Sequence, residues 1–267
     1  MSLTVENLVK RYLRRNAVGS EEVFALRGIS FTIRPGSTLA VVGASGSGKS
    51  TLALCVAGFE EPTSGTICFD AAENAKLDAN ERRKKRSQIQ LIFQDPASSL
   101  NPRWKVSEIL AEPFALQKKL SGDEMNHQAH ILLNHVGLSR SFLTRRPGAL
   151  SGGQRQRLAI ARAIALEPSL LILDEALSAL DCSVQAQIAN LLVDLQSALG
   201  MTYLFITHDL AMAAHLADEI AVMAHGEIVE QGPAEKIVMQ PSHQETRNLL
   251  SAMAHLPRAM PPVPERP

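Results

Sequence analysis

The sequence predicts an α/β fold with a mainly parallel sheet core, an antiparallel β flank and an inserted helical sub-domain. Three features predict it. Short apolar runs recur at 38–42, 89–93, 170–173 and 203–206, each followed by turn residues and a helical pattern. That alternation is the mark of a largely parallel sheet buried on both faces. Across 96–150 the strand signals stop and apolar residues fall at helical spacing. A glycine-rich phosphate-binding pattern lies between the run ending at Val42 and a helix through Leu52 and Leu54.

The elements follow in chain order. Residues 3–5 and 23–33 carry looser strand patterns and form the antiparallel flank. The run 38–42 is the first core strand, and 89–93 is the next. Val106, Ile109 and Leu110, then Ile131, Leu132 and Val136, mark helices of the insert at 96–150. A helix over 155–166 precedes the strand 170–173, and 203–206 is a further strand. After Gly232 a short helix leads into a tail, 256–267, whose prolines exclude regular helix or sheet and which reads as disordered. The expected organisation is a single domain over 1–255 with the helical sub-domain inserted in it.

Lys+Arg and Asp+Glu both number 27, so no bulk field draws this chain to nucleic acid or anionic lipid. The basic run at 82–86 spans about a helical turn and follows Asp78 and Glu81, which suits a solvated helix face better than a nucleic-acid patch. Cys55, Cys68 and Cys182 are odd in number and widely spaced, which suggests buried thiols in a reducing compartment rather than a disulfide framework or zinc site. Nothing at the N-terminus reads as a signal peptide, and no apolar stretch approaches the ~18 residues of a membrane helix. A membrane role therefore requires a partner.

The phosphate-binding pattern is Gly43-Ala44-Ser45-Gly46-Ser47-Gly48-Lys49-Ser50, with Thr51 following on the helix. Glycines let successive backbone N–H groups converge on phosphate, and the helix N-terminus adds its dipole. Lys49 supplies a point charge and Ser50 a magnesium ligand. The strand 170–173 delivers Asp174 and Glu175 to the carboxyl end of the sheet, where open α/β folds bind ligands. There Asp174 can hold Mg²⁺ and Glu175 can polarise water. Alone, an apolar run ending in Asp-Glu reads by default as a helix cap or a solvated turn, and it is the phosphate loop beside it that gives the pair its functional reading. A second anion cradle, Leu150-Ser151-Gly152-Gly153-Gln154, stands before a helix.

LSGGQ in that position is similar to the signature motif of the ABC ATPases, a family of P-loop NTPases, and the resemblance runs from about Leu3 to Met253. It implies that Ser151, Gly152, Gly153 and Gln154 close over ATP held by a second subunit. Gln94 resembles the Q-loop glutamine that contacts Mg²⁺ and the attacking water. Asp181, in Ser178-Ala-Leu-Asp181, resembles the D-loop residue at the dimer interface. His208 resembles the switch histidine on the γ-phosphate, although alone it reads as a capping or core histidine. Tyr12 resembles the aromatic that stacks on adenine. FQDPASSLNPR at 93–103 and the segment 241–250 are similar to the dipeptide, oligopeptide and nickel importers. Ala176 and Leu177 stand where most of the family has Pro-Thr, and the cysteine-containing tail of many peptide importers is absent. Both departures lean toward nickel, a metal chelate or another cargo.

The resemblance implies an importer subunit with ATP and Mg²⁺ as cofactors. Its partners would be a second ATPase subunit, read as a different chain, two membrane permease subunits and a solute-binding protein, with no nucleic acid. Its place would be the cytoplasmic face of the inner or cell membrane, held peripherally. A soluble ABC protein acting on nucleic acid or ribosomes is the alternative, but the chain has neither an internal repeat nor sustained heptads. A P-loop kinase leaves the second cradle and His208 without a purpose.

Overall fold

The structure is a computed structural model that describes residues 1–16, 19–70, 72–73, 87–95, 99–117 and 120–253. The basic run at 82–86, residues 96–98 at the start of the predicted insert, and the tail 256–267 lie outside the described residues.

Along the chain run β1 (Leu3–Asn16), β2 (Gly19–Ile33), β3 (Thr38–Val42), α1 (Lys49–Ala57), β4 (Ser64–Phe69), β5 (Ala72–Glu73) and β6 (Ile89–Ile92). Then come α2 (Val106–Gln117), α3 (Gly122–His135), α4 (Gly152–Ile164), β7 (Leu170–Asp174), α5 (Cys182–Leu199) and β8 (Thr202–Thr207). The chain continues through α6 (Leu210–Leu216), β9 (Glu219–Ala224), β10 (Glu227–Pro233), α7 (Ala234–Met239) and α8 (Gln244–Met253). It divides into two compact units, one of residues 2–75 and 204–267, the other of residue 1 with 76–203.

In the first unit β1 pairs antiparallel with β2 and with β4, and β4 pairs with β5. β3 pairs parallel with β9, which pairs antiparallel with β10. Every residue of β3 is buried, which explains why Thr38 to Val42 shows no alternation of polar and apolar residues. β1 is far longer than the expected 3–5, and β2 starts at Gly19 rather than Val23. Lys10, Arg11, Arg14 and Arg15 interrupt the apolar pattern of β1, and three register shifts against β2 break its period of two.

In the second unit β6 and β7 pair parallel, and β7 is buried throughout. Helices α2, α3 and α4 pack on one another. Arg162 of α4 binds Glu112 of α2 at 2.7 Å and donates to the Ser99 carbonyl at 3.1 Å. Arg157 closes the end of α3 by donating to the Val136 carbonyl at 2.7 Å. Val136, expected on the apolar face of a helix, is the C-cap of α3. The fully buried β8 crosses from this unit into the first.

Cys55 is buried, Cys68 is half-buried and Cys182 is exposed, so only one of the thiols is the buried group expected. Cys182 opens α5 immediately after its N-cap, and a first-turn side chain there faces solvent. Among the described residues no helix is long and apolar enough to cross a membrane.

Candidate functional site: a phosphate loop and a signature turn

The loop 43–48 connects β3 to α1, and its glycines have different reasons to be there. A Cβ on Gly43 would stand 2.2 Å from the Met223 carbonyl oxygen of β9. One on Gly48, at φ 104, would stand 2.3 Å from the Ala25 carbonyl oxygen. Ala25 is the extra residue of a bulge, because Lys10 lies opposite Leu26 while Arg11 lies opposite Phe24. The same carbonyl crowds Gly226, whose N–H donates to the Ser47 carbonyl at 3.0 Å and whose own carbonyl accepts from Arg27 N–H at 2.8 Å. Gly43 and Gly48 are thus demanded by neighbouring backbone. Gly46, at φ 81 with open space around it, is demanded by conformation alone.

Lys49 is 4% exposed, and its ammonium donates to the carbonyls of Gly43 at 2.8 Å and Ala44 at 2.9 Å. Ala44, Ser45, Gly46 and Ser50 are exposed, and Thr51 is half-buried. Helix α1 starts without a side-chain cap, whereas α3, α4, α5 and α6 begin on Ser121, Ser151, Asp181 and Asp209, each accepting from the first turn. An uncapped helix start beside a cation suits an anion.

The same unit holds Tyr12 and His208. Tyr12 sits on β1 opposite Val23, 37% exposed, with the Lys10 ammonium 4.9 Å from its ring centroid. His208 is exposed between β8 and α6, and the following Asp209 accepts from Ala211 N–H and Met212 N–H.

The other unit holds the remaining positions. Asp174 ends β7 and is 8% exposed. Glu175 is half-buried at φ 47, a left-handed conformation that costs an ordinary residue about 1–2 kcal/mol. Ser178 stabilises that turn, its N–H and hydroxyl donating to the Glu175 carbonyl at 3.1 and 2.8 Å. Ala176 and Leu177 are 1% and 3% exposed, so this apolar pair fills the interior behind the two acids. Gln94 is exposed after β6.

Ser151 caps α4 in a capping box: Gln154 N–H donates to its hydroxyl at 3.3 Å, and Ser151 N–H donates to Gln154 Oε1 at 3.0 Å. A Cβ on Gly152 would touch Leu180 Cδ2 at 3.6 Å, and one on Gly153 would strike Val184 Cγ1 at 2.6 Å. The signature turn therefore rests directly on the start of α5, where Asp181 accepts from Val184 N–H at 2.9 Å. Ser151, Gly152, Gly153 and Asp181 form one local assembly.

The sequence profile of the ABC transporter family matches residues 26–178, which include the phosphate loop, the signature turn and the Asp174-Glu175 pair. The dipeptide transport ATP-binding protein of Haemophilus influenzae is 45% identical over 236 residues, covering 88% of this chain and 72% of that protein. This chain belongs to the ABC transporter family. The di/tripeptide transport ATP-binding protein of Pseudomonas aeruginosa is 44% identical over 252 residues, covering 94% and 78%. Among solved structures, the dimeric ATP-binding cassette MJ0796, bound to ADP and Pi in a post-hydrolysis state, superposes with a TM-score of 0.76 at 30% identity, covering 87% of this chain and 98% of that one. The ABC subunit described here is thus an ATPase of a transport system, with the ABC cassette fold.

Sequence reasoning did not find Ala25, Gly226, Lys10 or Glu60, which shape the loop and its surroundings. None belongs to a motif. The bulge at Ala25 exists only as a register shift between strands, and Gly226 is visible beforehand only as a turn glycine after an apolar run.

Proposed function

We propose that this chain hydrolyses ATP to drive solute uptake by an ABC importer. The observation that carries the proposal is the seat of Lys49: an ammonium held at the uncapped start of α1 by two loop carbonyls. An arriving triphosphate replaces those carbonyls as its acceptor, while the backbone of 43–48 and the α1 dipole hold the phosphates. Tyr12 stacks on the adenine. Glu175 orients the attacking water and accepts its proton, as a new P–O bond forms and the bond to the ADP oxygen breaks. His208 and Gln94 contact the γ-phosphate and the water.

The oxygen donors of Ser50, Gln94 and the buried Asp174 are chemically hard and fit Mg²⁺. Mg²⁺ bound there would neutralise charge developing on the phosphates.

Ser151 to Gln154 serve ATP on a second ATPase subunit, and Asp181 lies at that contact. The fit to this role is local: a turn whose cap is already internally satisfied adds its exposed face to a partner without refolding. The helices of the insert form the contact surface for the permease, the complex holds two permease subunits, a solute-binding protein delivers cargo, and the subunit sits peripherally on the cytoplasmic face of the membrane. The cargo is a short peptide, in keeping with the names of the relatives, with nickel or a metal chelate as the narrower option raised by Ala176-Leu177.

The test is ATP-dependent uptake of labelled dipeptide, and separately of nickel, by vesicles holding the assembled complex. Uptake of either that is abolished by Lys49→Ala supports the proposal. Uptake unaffected by Lys49→Ala, with unchanged ATP affinity, refutes it.

A further inference from the structure

Lys10 belongs to no motif, yet it is among the most tightly held cations in its unit. Its side chain is 12% exposed, and it donates to Glu60 Oε2 at 2.7 Å and to the Glu61 carbonyl at 2.8 Å. The segment carrying those acceptors is fastened to β1 on either side of Lys10. Thr63 N–H donates to the Val9 carbonyl at 2.7 Å, and Arg11 N–H donates to Thr63 Oγ1 at 3.1 Å. That segment also closes α1: Phe59 N–H and Glu60 N–H both donate to the Leu54 carbonyl, at 2.9 and 3.2 Å. The helix that begins at the phosphate loop therefore ends on the groups that grip Lys10.

Two strand residues separated by one share a face, so Lys10 and Tyr12 are neighbours, and the ammonium lies over the Tyr12 ring at 4.9 Å. The hydrogen bond to Glu60 is the largest influence on Lys10 and raises its pKa above the ordinary value, against burial that lowers it. The ammonium is thus charged at any physiological pH. A plain surface ion pair is a poor explanation for this arrangement, because exposed pairs contribute little and leave the lysine solvated. Here the ammonium is held by a carboxylate and a carbonyl together, over a ring that stays 37% exposed.

We propose that Lys10, clamped by Glu60 and the Glu61 carbonyl, is a positioning residue for nucleotide binding: it fixes the Tyr12 ring from one face and leaves the opposite face for adenine. An ammonium on one face draws ring density toward itself, so the other face meets an electron-rich purine with less repulsion. Because the clamp hangs from the end of α1, the base platform and the phosphate loop are held by one rigid element. The proposal rests on Tyr12 being the base-stacking residue.

The experiment is calorimetric titration of the full chain with ATP, ADP and, as a ligand without a base, inorganic tripolyphosphate. Lys10→Met is expected to weaken ATP and ADP about three- to fivefold, the scale of an exposed cation–π contact, and to leave tripolyphosphate unchanged. Lys10→Arg, which keeps the charge and the acceptors, restores the affinity. In a Tyr12→Ala background Lys10→Met has no further effect. If Lys10→Met is poorly folded, Glu60→Gln replaces it, with a smaller loss of the same pattern expected. Unchanged ATP affinity in Lys10→Met, alongside a loss in Tyr12→Ala, overturns the role of Lys10 and leaves the platform standing. No loss in Tyr12→Ala overturns the platform and the clamp together. An equal loss of ATP and tripolyphosphate overturns the proposal by showing general damage to the loop.

Discussion

Replacing Gly46 and Gly48 with alanine, one at a time, separates the two reasons for glycine in the phosphate loop. Both residues have positive φ, 81 and 104, so each alanine carries the left-handed strain of about 1–2 kcal/mol. At Gly46 nothing lies within 4 Å of the new Cβ, and the strain is the whole cost. At Gly48 the Cβ arrives 2.3 Å from the Ala25 carbonyl oxygen, with Leu26 Cδ2 at 3.2 Å and Met223 Cε at 3.3 Å. The side chains can give way, but the carbonyl belongs to a bulge held on both sides by the β1–β2 ladder, so backbone must shift by about 1 Å. Overpacking of that kind costs about 1–3 kcal/mol, which brings Gly48→Ala to about 2–5 kcal/mol. Urea denaturation should therefore rank Gly48→Ala well below Gly46→Ala, with Gly46→Ala only about 1–2 kcal/mol below the parent protein. ATP titration should show Gly46→Ala weakened nonetheless, because its Cβ stands on the exposed rim of the loop. Equal stability losses, or the reverse order, would refute the assignment of Gly48 to packing against the bulge.

Glu175→Gln should bind ATP with near-parent affinity and hydrolyse it at least about a hundredfold more slowly in the assembled complex, the scale of losing a positioned base; fast steady-state turnover rules out the role. Ser151→Ala should lose about 0.5–2 kcal/mol through the missing cap and lower turnover without changing ATP binding by the isolated chain. Ser151→Asp keeps a cap, so parent-level turnover in that variant would reduce Ser151 to a structural residue. Glu230 is raised by burial but carried down to about 2 by hydrogen bonds from Ser242, Thr246 and His243. Its pKa is depressed on folding, so its stabilisation is present above about 4.5 and is lost as pH falls toward 2. Because the carboxylate is partly solvated, Glu230→Gln should cost only about 1–2 kcal/mol at pH 7, and the gap between variant and parent should close by pH 2 in a denaturation series.

The strands of the core were legible because each is short, apolar and followed by turn chemistry: 38–42 coincides with β3, while β6, β7 and β8 differ by a residue at one or both ends. β4, β9 and β10 went unread for different reasons. β9 begins with Glu219, and β10 sets only Ile228 and Val229 between Glu227 and Glu230, a pattern that also suits a solvated connection. β4 opens on Ser64 and Gly65, which read as a turn. Residues after Gly232 hold two helices, α7 and α8, because Pro241 and Ser242 break what periodicity alone reads as one.

The candidate site was legible to the extent that it is linear. A phosphate loop, a signature turn and an acidic pair are contiguous residues whose spacing carries their chemistry. What shapes them is not contiguous. Gly48 is fixed by Ala25, which lies on another strand and enters only because β2 carries one residue more than β1 at that point. Gly153 is fixed by Val184, at the start of the next long helix, so the signature glycine is as much a packing residue as a cradle. The consequence for function is physical: each motif glycine that touches backbone or a branched side chain makes its loop rigid before any ligand arrives. A cradle organised in advance pays little ordering entropy when phosphate binds. Substitutions in the scaffold, at Ala25, Val184 or Glu60, should therefore change nucleotide binding through the shape of the motifs while leaving every motif residue in place.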